Sequence, residues 1–337
     1  QINDGLESVA QLLSIKNPRN GMRVYVKSYR PGQGKGGGTF VYDASKAAIN
    51  DGALVFNGWV RQLDSDAYTP YMSGCVCDGT TDDAQNLDKL NLALYRNKLQ
   101  GRIIFDSDIF INSELQRIEN LTFVKTDKKV GVRLVSGVHY EIKSGVAIKI
   151  GNYFDNSNTW VFCAANPKDS EEWYENNPQD NIWIYGGGTI DSTGAGSIRG
   201  THLTSRYLIF TGACTNFKLF GLTTIGGDYA NIVVTRPEAT TGRVYDCTFK
   251  NTLVTNSDSS DHSTIWSAAP DWKVYNNKFI DASPKAKLIS CAFESHGNQH
   301  YFYNNYIEGY VVAILQCAYL WDDKQPSKDD FYAYDNT

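Results

Sequence analysis

Toward its C-terminal end the chain repeats itself without a gap. Ser263 to Asn277 reads STIWSAAPDWKVYNN and Cys291 to Asn305 reads CAFESHGNQHYFYNN, an offset of 28 residues. An earlier copy of the unit, Val244 to Phe249 (VYDCTF), begins 30 residues before Val274. Repeats of this size, rich in β-branched and aromatic residues and closed by Asn, Asp or Gly, mark a chain that winds and stacks rung on rung. The expectation is an all-β solenoid. Within it the repeat register says which side chains face outward, where a long polymer would be bound.

At 337 residues the chain exceeds one ordinary compact domain, but a solenoid buries its core rung by rung and reaches this length without splitting. Charged residues make up 20%, with 29 Gly and 21 Tyr, a balance that favours strands and tight turns. The net charge of −5, without a clustered positive surface, argues against a nucleic-acid partner. No run of 18 apolar residues occurs and the start lacks a signal-peptide layout, so membrane insertion is not expected. The chain starts at Gln1 without Met and stops mid-pattern at Thr337, as a cut fragment would. The seven cysteines form no CxxC pair and have no His at zinc-finger spacing. They read as small buried thiols packed in strands, so no metal is expected.

Residues 1–70 read as an N-terminal linker region of short strands. Its Pro31–Gly38 loop satisfies GxGxxG through Gly32, Gly34 and Gly37, but TFVYD follows, a strand where a phosphate site needs a helix N-terminus. Residues 71–102 read as a capping segment. In it Asp82 or Asp83 starts a helix that carries Leu87, Leu90 and Leu94 on one face and ends at Gly101. Such a helix would cover the open end of a winding sheet. From 103 to 337 the strands recur: Ile184, Leu219, Val244, Val274 and Phe302 hold the same place in units spaced 35, 25, 30 and 28 residues apart. The acidic stretch from Asp155 to Asp180 reads as a solvated loop.

The repeat alignment matches Ile265 with Phe293, both facing the core, so their neighbours Glu294 and His296 should face outward. Trp266 falls at the position of Glu294 one rung earlier, which puts an indole roughly 4.8 Å from the carboxylate along the coil axis. A carboxylate beside an exposed aromatic face is an arrangement that holds and attacks a sugar ring. Asp228 and Asp261 each stand four residues before the isoleucines Ile232 and Ile265, which the reading matches to each other. Stacked in register they would lie about 5 Å apart, where like charge holds one proton on the pair. Glu294 is thus the principal candidate acid/base, with Asp261 its partner, Asp228 and His296 auxiliary. Trp266, His262, Tyr229, Trp272 and His300 are the candidate substrate contacts.

Several stretches carry a family resemblance. DGTTDDAQNL, from Asp78 to Leu87, resembles the signature that opens pectate-lyase-like right-handed parallel β-helix domains, with Cys77 where that signature has its first Gly. GGGTID at Gly186–Asp191 is similar to a polygalacturonase-like strand. DHSTIW and AFESHGNQHYFYNNYIE look like rungs of bacteriophage tailspike depolymerases, and GMRVYVKSYRPGQGKGGGTFVYD looks like the opening region of those spikes. The resemblance implies a homotrimer on the virion tail, docked to tail or baseplate proteins, that binds and depolymerises a bacterial capsular or surface polysaccharide. Glycosidic hydrolysis by carboxylates needs no organic cofactor. Rival expectations are a lyase acting on a uronic-acid polymer, with His262 or His296 as base, a deacetylating spike, and a non-cleaving glycan-binding adhesin.

Overall fold

The computed structural model describes residues 5–118, 128–154, 159–164, 179–195, 206–226, 231–251, 262–281, 290–317 and 330–337. Near the N-terminus, Arg23–Ser28, Gly36–Tyr42, Trp59–Arg61 and Val55–Phe56 pair as a four-stranded antiparallel sheet. Its apolar face, with Val24, Val26, Phe40, Phe56 and Trp59, closes over Val9 and Leu12 of the short helix Val9–Leu13. The glycines of the GxGxxG stretch serve close backbone packing: a Cβ on Gly37 would lie 2.2 Å from the Val26 carbonyl oxygen. The adjoining carbonyls of Gly36 and Gly37 accept from the buried Arg61 guanidinium, which also reaches Met72.

Beyond residue 100 the chain returns to the same sheet every third strand. Three sheets result, of nine, seven and eight strands among the described residues, paired in parallel except where Gln116–Ile118 meets Lys128–Leu134 antiparallel at the end of the third. One rung runs through Trp272–Tyr275, Lys278–Asp281 and Ser290–Ser295, and His300–Tyr303 begins the next. This is a parallel β-helix, the solenoid that the repeat implied and the parallel winding that the family resemblance implied. Ile184, Leu219, Val244, Val274 and Phe302 pair rung to rung in the first sheet and are fully buried. On that sheet's outer face Tyr185, Phe220, Tyr245, Tyr275, Tyr303 and Tyr334 stack with ring centroids 4.9 to 5.0 Å apart.

The corners explain the Asn-rich closures. Asp246, Asn276, Asn304 and Asp335 leave the first sheet with φ between 52° and 56°, the left-handed region that Asn and Asp enter at least cost among residues with a Cβ. The next residue inward is a ladder. The Asn305 side-chain Oδ1 accepts from the Asn277 backbone N–H at 3.0 Å, and its Nδ2 donates to the Val274 backbone carbonyl at 3.0 Å and to Asn336 Oδ1 at 3.1 Å. Asn277 repeats this one rung earlier on Cys247 and Val244. Each side chain satisfies the backbone of the tight turn beneath it, where water is excluded.

The open end of the coil is covered by the helix Ala84–Arg96, whose Leu87, Leu90 and Leu94 enter the same core as Ile103, Phe105 and Leu134. It stops at Arg96, with Asn97 as its cap, before the expected Gly101. Gly101 instead opens a strand with φ 137°, where a Cβ would lie 2.1 Å from the Asp66 carbonyl oxygen. Asp83 sits at the helix start but turns its carboxylate to the backbone N–H groups of Val76 and Cys77, at 2.7 and 2.9 Å. Cys77 has φ 57°, so the residue that replaces the signature's Gly occupies a left-handed position. A bidentate Asp88–Arg133 pair, at 2.9 and 3.3 Å, ties the helix to the third sheet.

The ladder makes a stability prediction. Asn305→Ala strands the buried Asn277 N–H and Val274 carbonyl and should destabilise the chain by about 2–4 kcal/mol. Denaturant unfolding measures it, and a loss below about 0.5 kcal/mol, an ordinary surface effect, would mean the ladder is not stabilising.

Candidate active site on the third sheet

The third sheet departs from simple alternation. Its rung-to-rung register joins Phe162, Ile209, Val233, Ile265 and Phe293 in one column and Cys163, Phe210, Val234, Trp266 and Glu294 in the next. The residues just before the first column, Val161, Leu208, Ile232, Thr264 and Ala292, are also fully buried. Two consecutive residues per rung therefore point inward, which a strand achieves by bending. Outward side chains on the two sides of the bend then meet across it. Trp160 stacks on Phe210 with centroids 4.0 Å apart, and Val130, Cys163 and Val234 complete this outer apolar layer.

Further along the sheet the same outer face turns polar. Trp266 pairs in register with Glu294, as the repeat implied, and its ring lies 4.6 Å from that of His296, tilted by 35°. Glu294 Oε1 accepts from His296 Nε2 at 2.7 Å and from the Cys317 thiol at 3.6 Å. Its Oε2 accepts from the Ser263 hydroxyl, which in turn accepts from the Cys291 thiol at 3.3 Å. Backbone bonds fix these partners: His296 N–H donates to the Ser267 carbonyl at 2.8 Å and Cys317 N–H to the Ser295 carbonyl at 2.9 Å.

Glu294 and His296 are only 7% and 5% exposed. Burial pushes the Glu294 carboxyl up, but the hydrogen bonds from His296 and Ser263 outweigh it and hold the group below its ordinary value. An ionised carboxylate here suits a base, a nucleophile or an electrostatic partner better than a proton donor. The order of contacts is Ser263, Glu294, His296, with the carboxylate in the middle. A serine nucleophile needs the imidazole beside its hydroxyl, so the arrangement does not supply the acyl-transfer triad that a deacetylating spike would use.

Other expectations fare differently. Trp272 and His300 were expected on a groove wall and are instead fully buried. Trp272 donates its indole N–H to the Ala239 carbonyl at 2.6 Å. His300 takes part in hydrogen bonds with Ser295 Oγ at 2.7 Å through Nδ1 and with the Ala269 carbonyl at 2.6 Å through Nε2. Both close the corner into the first sheet and present nothing to a glycan. The expected match of Ile232 with Ile265 is off by one, since Ile265 pairs with Val233, which removes the register argument for stacking Asp228 on Asp261. Asp228, Tyr229 and Asp261 lie outside the described residues, as does the side chain of His262. Ser263, Cys291 and Cys317 were missed because small residues in strands read as packing. The signal was there for one of them: Ser263 stands three residues before Trp266, on the same outward face once the strand bends.

Burial pushes the His300 imidazole down to about 4. Between pH 6.5 and 4 the unfolded chain therefore takes up a proton that the folded chain refuses, so stability falls as pH falls, by about 3 kcal/mol in total. Denaturation at stepped pH should show this slope in the wild type and a shallower one in His300→Gln, and equal slopes would refute the assignment. Glu294 acts in a lower window: its contribution is present above the ordinary glutamate value and is lost as pH falls through its depressed one. Ser263→Ala should move the Glu294 titration, followed by NMR, upward, and an unmoved titration would mean the hydroxyl does not hold the charge.

The chain has the parallel β-helix architecture of phage tailspikes. Residues 5–64, which span the antiparallel sheet, match the family of the phage tail protein small four-stranded beta-sheet domain. The structure is similar to a variant tailspike of E. coli bacteriophage HK620 in complex with a pentasaccharide, with TM-score 0.67, 20% identity, and coverage of 80% of this chain and 45% of that one. A second HK620 tailspike variant, also with pentasaccharide, gives TM-score 0.67 at 18% identity over 87% of this chain and 50% of that one. The chain thus spans about half the length of these solved relatives. No curated protein matches its sequence. Among the described residues no helix is long and apolar enough to cross a membrane.

Proposed function

We propose that this chain is the β-helix of a phage tailspike that binds a bacterial surface polysaccharide and shortens it by hydrolysing glycosidic bonds. Its assembly as a homotrimer on the virion tail is part of the same proposal. The observation that carries the chemistry is a carboxylate held ionised on the outer face of the third sheet beside a half-buried indole. Fold likeness to tailspikes that hold a pentasaccharide supports the substrate class.

In this reading a sugar ring lies against Trp266, its C–H face on the indole. Glu294 then attacks the anomeric carbon directly or activates the water that does, and His296 and Ser263 keep it charged through the approach. Hydrolysis also needs a proton donor to the leaving oxygen. Asp261, just before the strand that carries Ser263 and Trp266, is the proposed donor, and Asp228 an auxiliary. The near-complete burial of Glu294 favours one rival, the adhesin, because a carboxylate with all its partners internal also fits a purely structural role.

Incubating capsular polysaccharide from a strain the protein binds, and following chain length and new reducing ends, separates these readings. Wild type should shorten the polymer, and Glu294→Gln should be slower by at least about 100-fold. Shortening that survives the substitution would remove Glu294 from the chemistry. Intact polymer with retained binding would leave the adhesin, and an unsaturated terminal sugar would identify a lyase.

A further inference from the structure

We propose that Glu294, His296 and Cys317 form a zinc-binding site. One ligand atom from each, a carboxylate oxygen, an imidazole nitrogen and a thiol sulfur, lies within 4.8 Å of the others. Zinc–oxygen and zinc–nitrogen distances of about 2.0–2.1 Å and zinc–sulfur of about 2.3 Å put neighbouring ligands of a tetrahedron roughly 3.3–3.8 Å apart. The present spacing of 3.6 Å for Cys317 Sγ to Glu294 Oε1 already lies in that range, and the 2.7 Å from His296 Nε2 to the same oxygen is shorter, so a side-chain rotation that opens the second contact suffices. Nitrogen, oxygen and sulfur in one set suit borderline-soft zinc and not magnesium or calcium.

The fold fixes the three groups independently of any ion. Glu294 and His296 are two residues apart at the end of one strand, and Cys317 follows the strand Val312–Gln316 on the next rung, hydrogen-bonded by its backbone to Ser295. Ser263 supplies the outer contact that orients the carboxylate through its second oxygen. On binding, the Cys317 thiol gives its proton to solvent. His296 shifts its ring proton to Nδ1 and ligates through the Nε2 lone pair, and water takes the fourth position. The two hydrogen bonds that Oε1 now accepts are exchanged for coordination.

This goes beyond the hydrolytic reading and does not depend on it. Should Glu294 also cleave, zinc would occupy the same oxygen and inhibit, so binding and cleavage are read separately. The full chain, stripped with a chelator, is dialysed against zinc and the bound metal measured, then loaded with cobalt to record the thiolate-to-cobalt absorption. One zinc per chain is expected, with affinity weakened at least about tenfold in both Cys317→Ser and His296→Gln. The thiolate band should vanish in Cys317→Ser, because among the described residues Cys317 supplies the thiol grouped with Glu294 and His296 within 4.8 Å. Circular dichroism verifies that each variant is folded. A wild type without stoichiometric zinc, or a thiolate band that persists in Cys317→Ser, would overturn the site.

Discussion

Everything in this molecule depends on one rung lying in register on the next. Parallel strands alone hold the register weakly, since sliding by a whole residue pair costs only a few backbone bonds at a time. The corners hold it firmly. A left-handed Asn or Asp followed by an Asn whose amide spans to the rungs on either side leaves no alternative pairing: a slip would strand the amide, the turn N–H and the carbonyl below it together. The aromatic stack of Tyr245, Tyr275 and Tyr303 repeats the constraint on the outside, where identical rings meet only when the register is kept.

That dependence is why so much of the fold was legible. Asn-Asn closures 28 residues apart align two rungs residue by residue, and the pairs Ile265 with Phe293, Trp266 with Glu294, Trp272 with His300 and Val274 with Phe302 follow from it. Legibility ended where the third sheet bends. Strict alternation assumes that one inward residue is followed by one outward, whereas Ile232 and Val233 both enter the core, so a match that relied on chemical likeness, isoleucine to isoleucine, landed one residue early. Trp272 and His300 failed for a related reason. An aromatic and an imidazole at matched places look like a binding wall, but they begin the first-sheet strands, where the inward position sits beside the corner and their polar atoms serve carbonyls of the turn.

The bend also makes the site. Without it, strict alternation would put Ser263 on the inward face with Ile265 and Glu294 on the outward face with Trp266. With it, the hydroxyl reaches the carboxylate across the concave side, as Trp160 reaches Phe210 lower on the sheet. Along this face the apolar layer of Trp160, Phe210 and Val234 gives way to Trp266 and then to Glu294. The polar cluster is therefore set against an apolar strip, which lowers the local dielectric and strengthens each charge-assisted contact made there.

Such surroundings would by themselves hold a carboxyl in its neutral form. Glu294 goes the other way because three donors converge on its two oxygens, and that sign constrains the chemistry more than position does. Acid and base in one hydrolytic site come from two groups whose environments push their proton affinities apart. In the proposed hydrolysis a carboxyl already pushed down would take the base or nucleophile role, and the proton donor would be a group with fewer donors and more desolvation than Glu294 has. The acid proposed for that part is Asp261, which in sequence stands four residues ahead of the inward Ile265. In the proposed hydrolysis its environment, and not its distance alone, decides whether this face can cut a glycan.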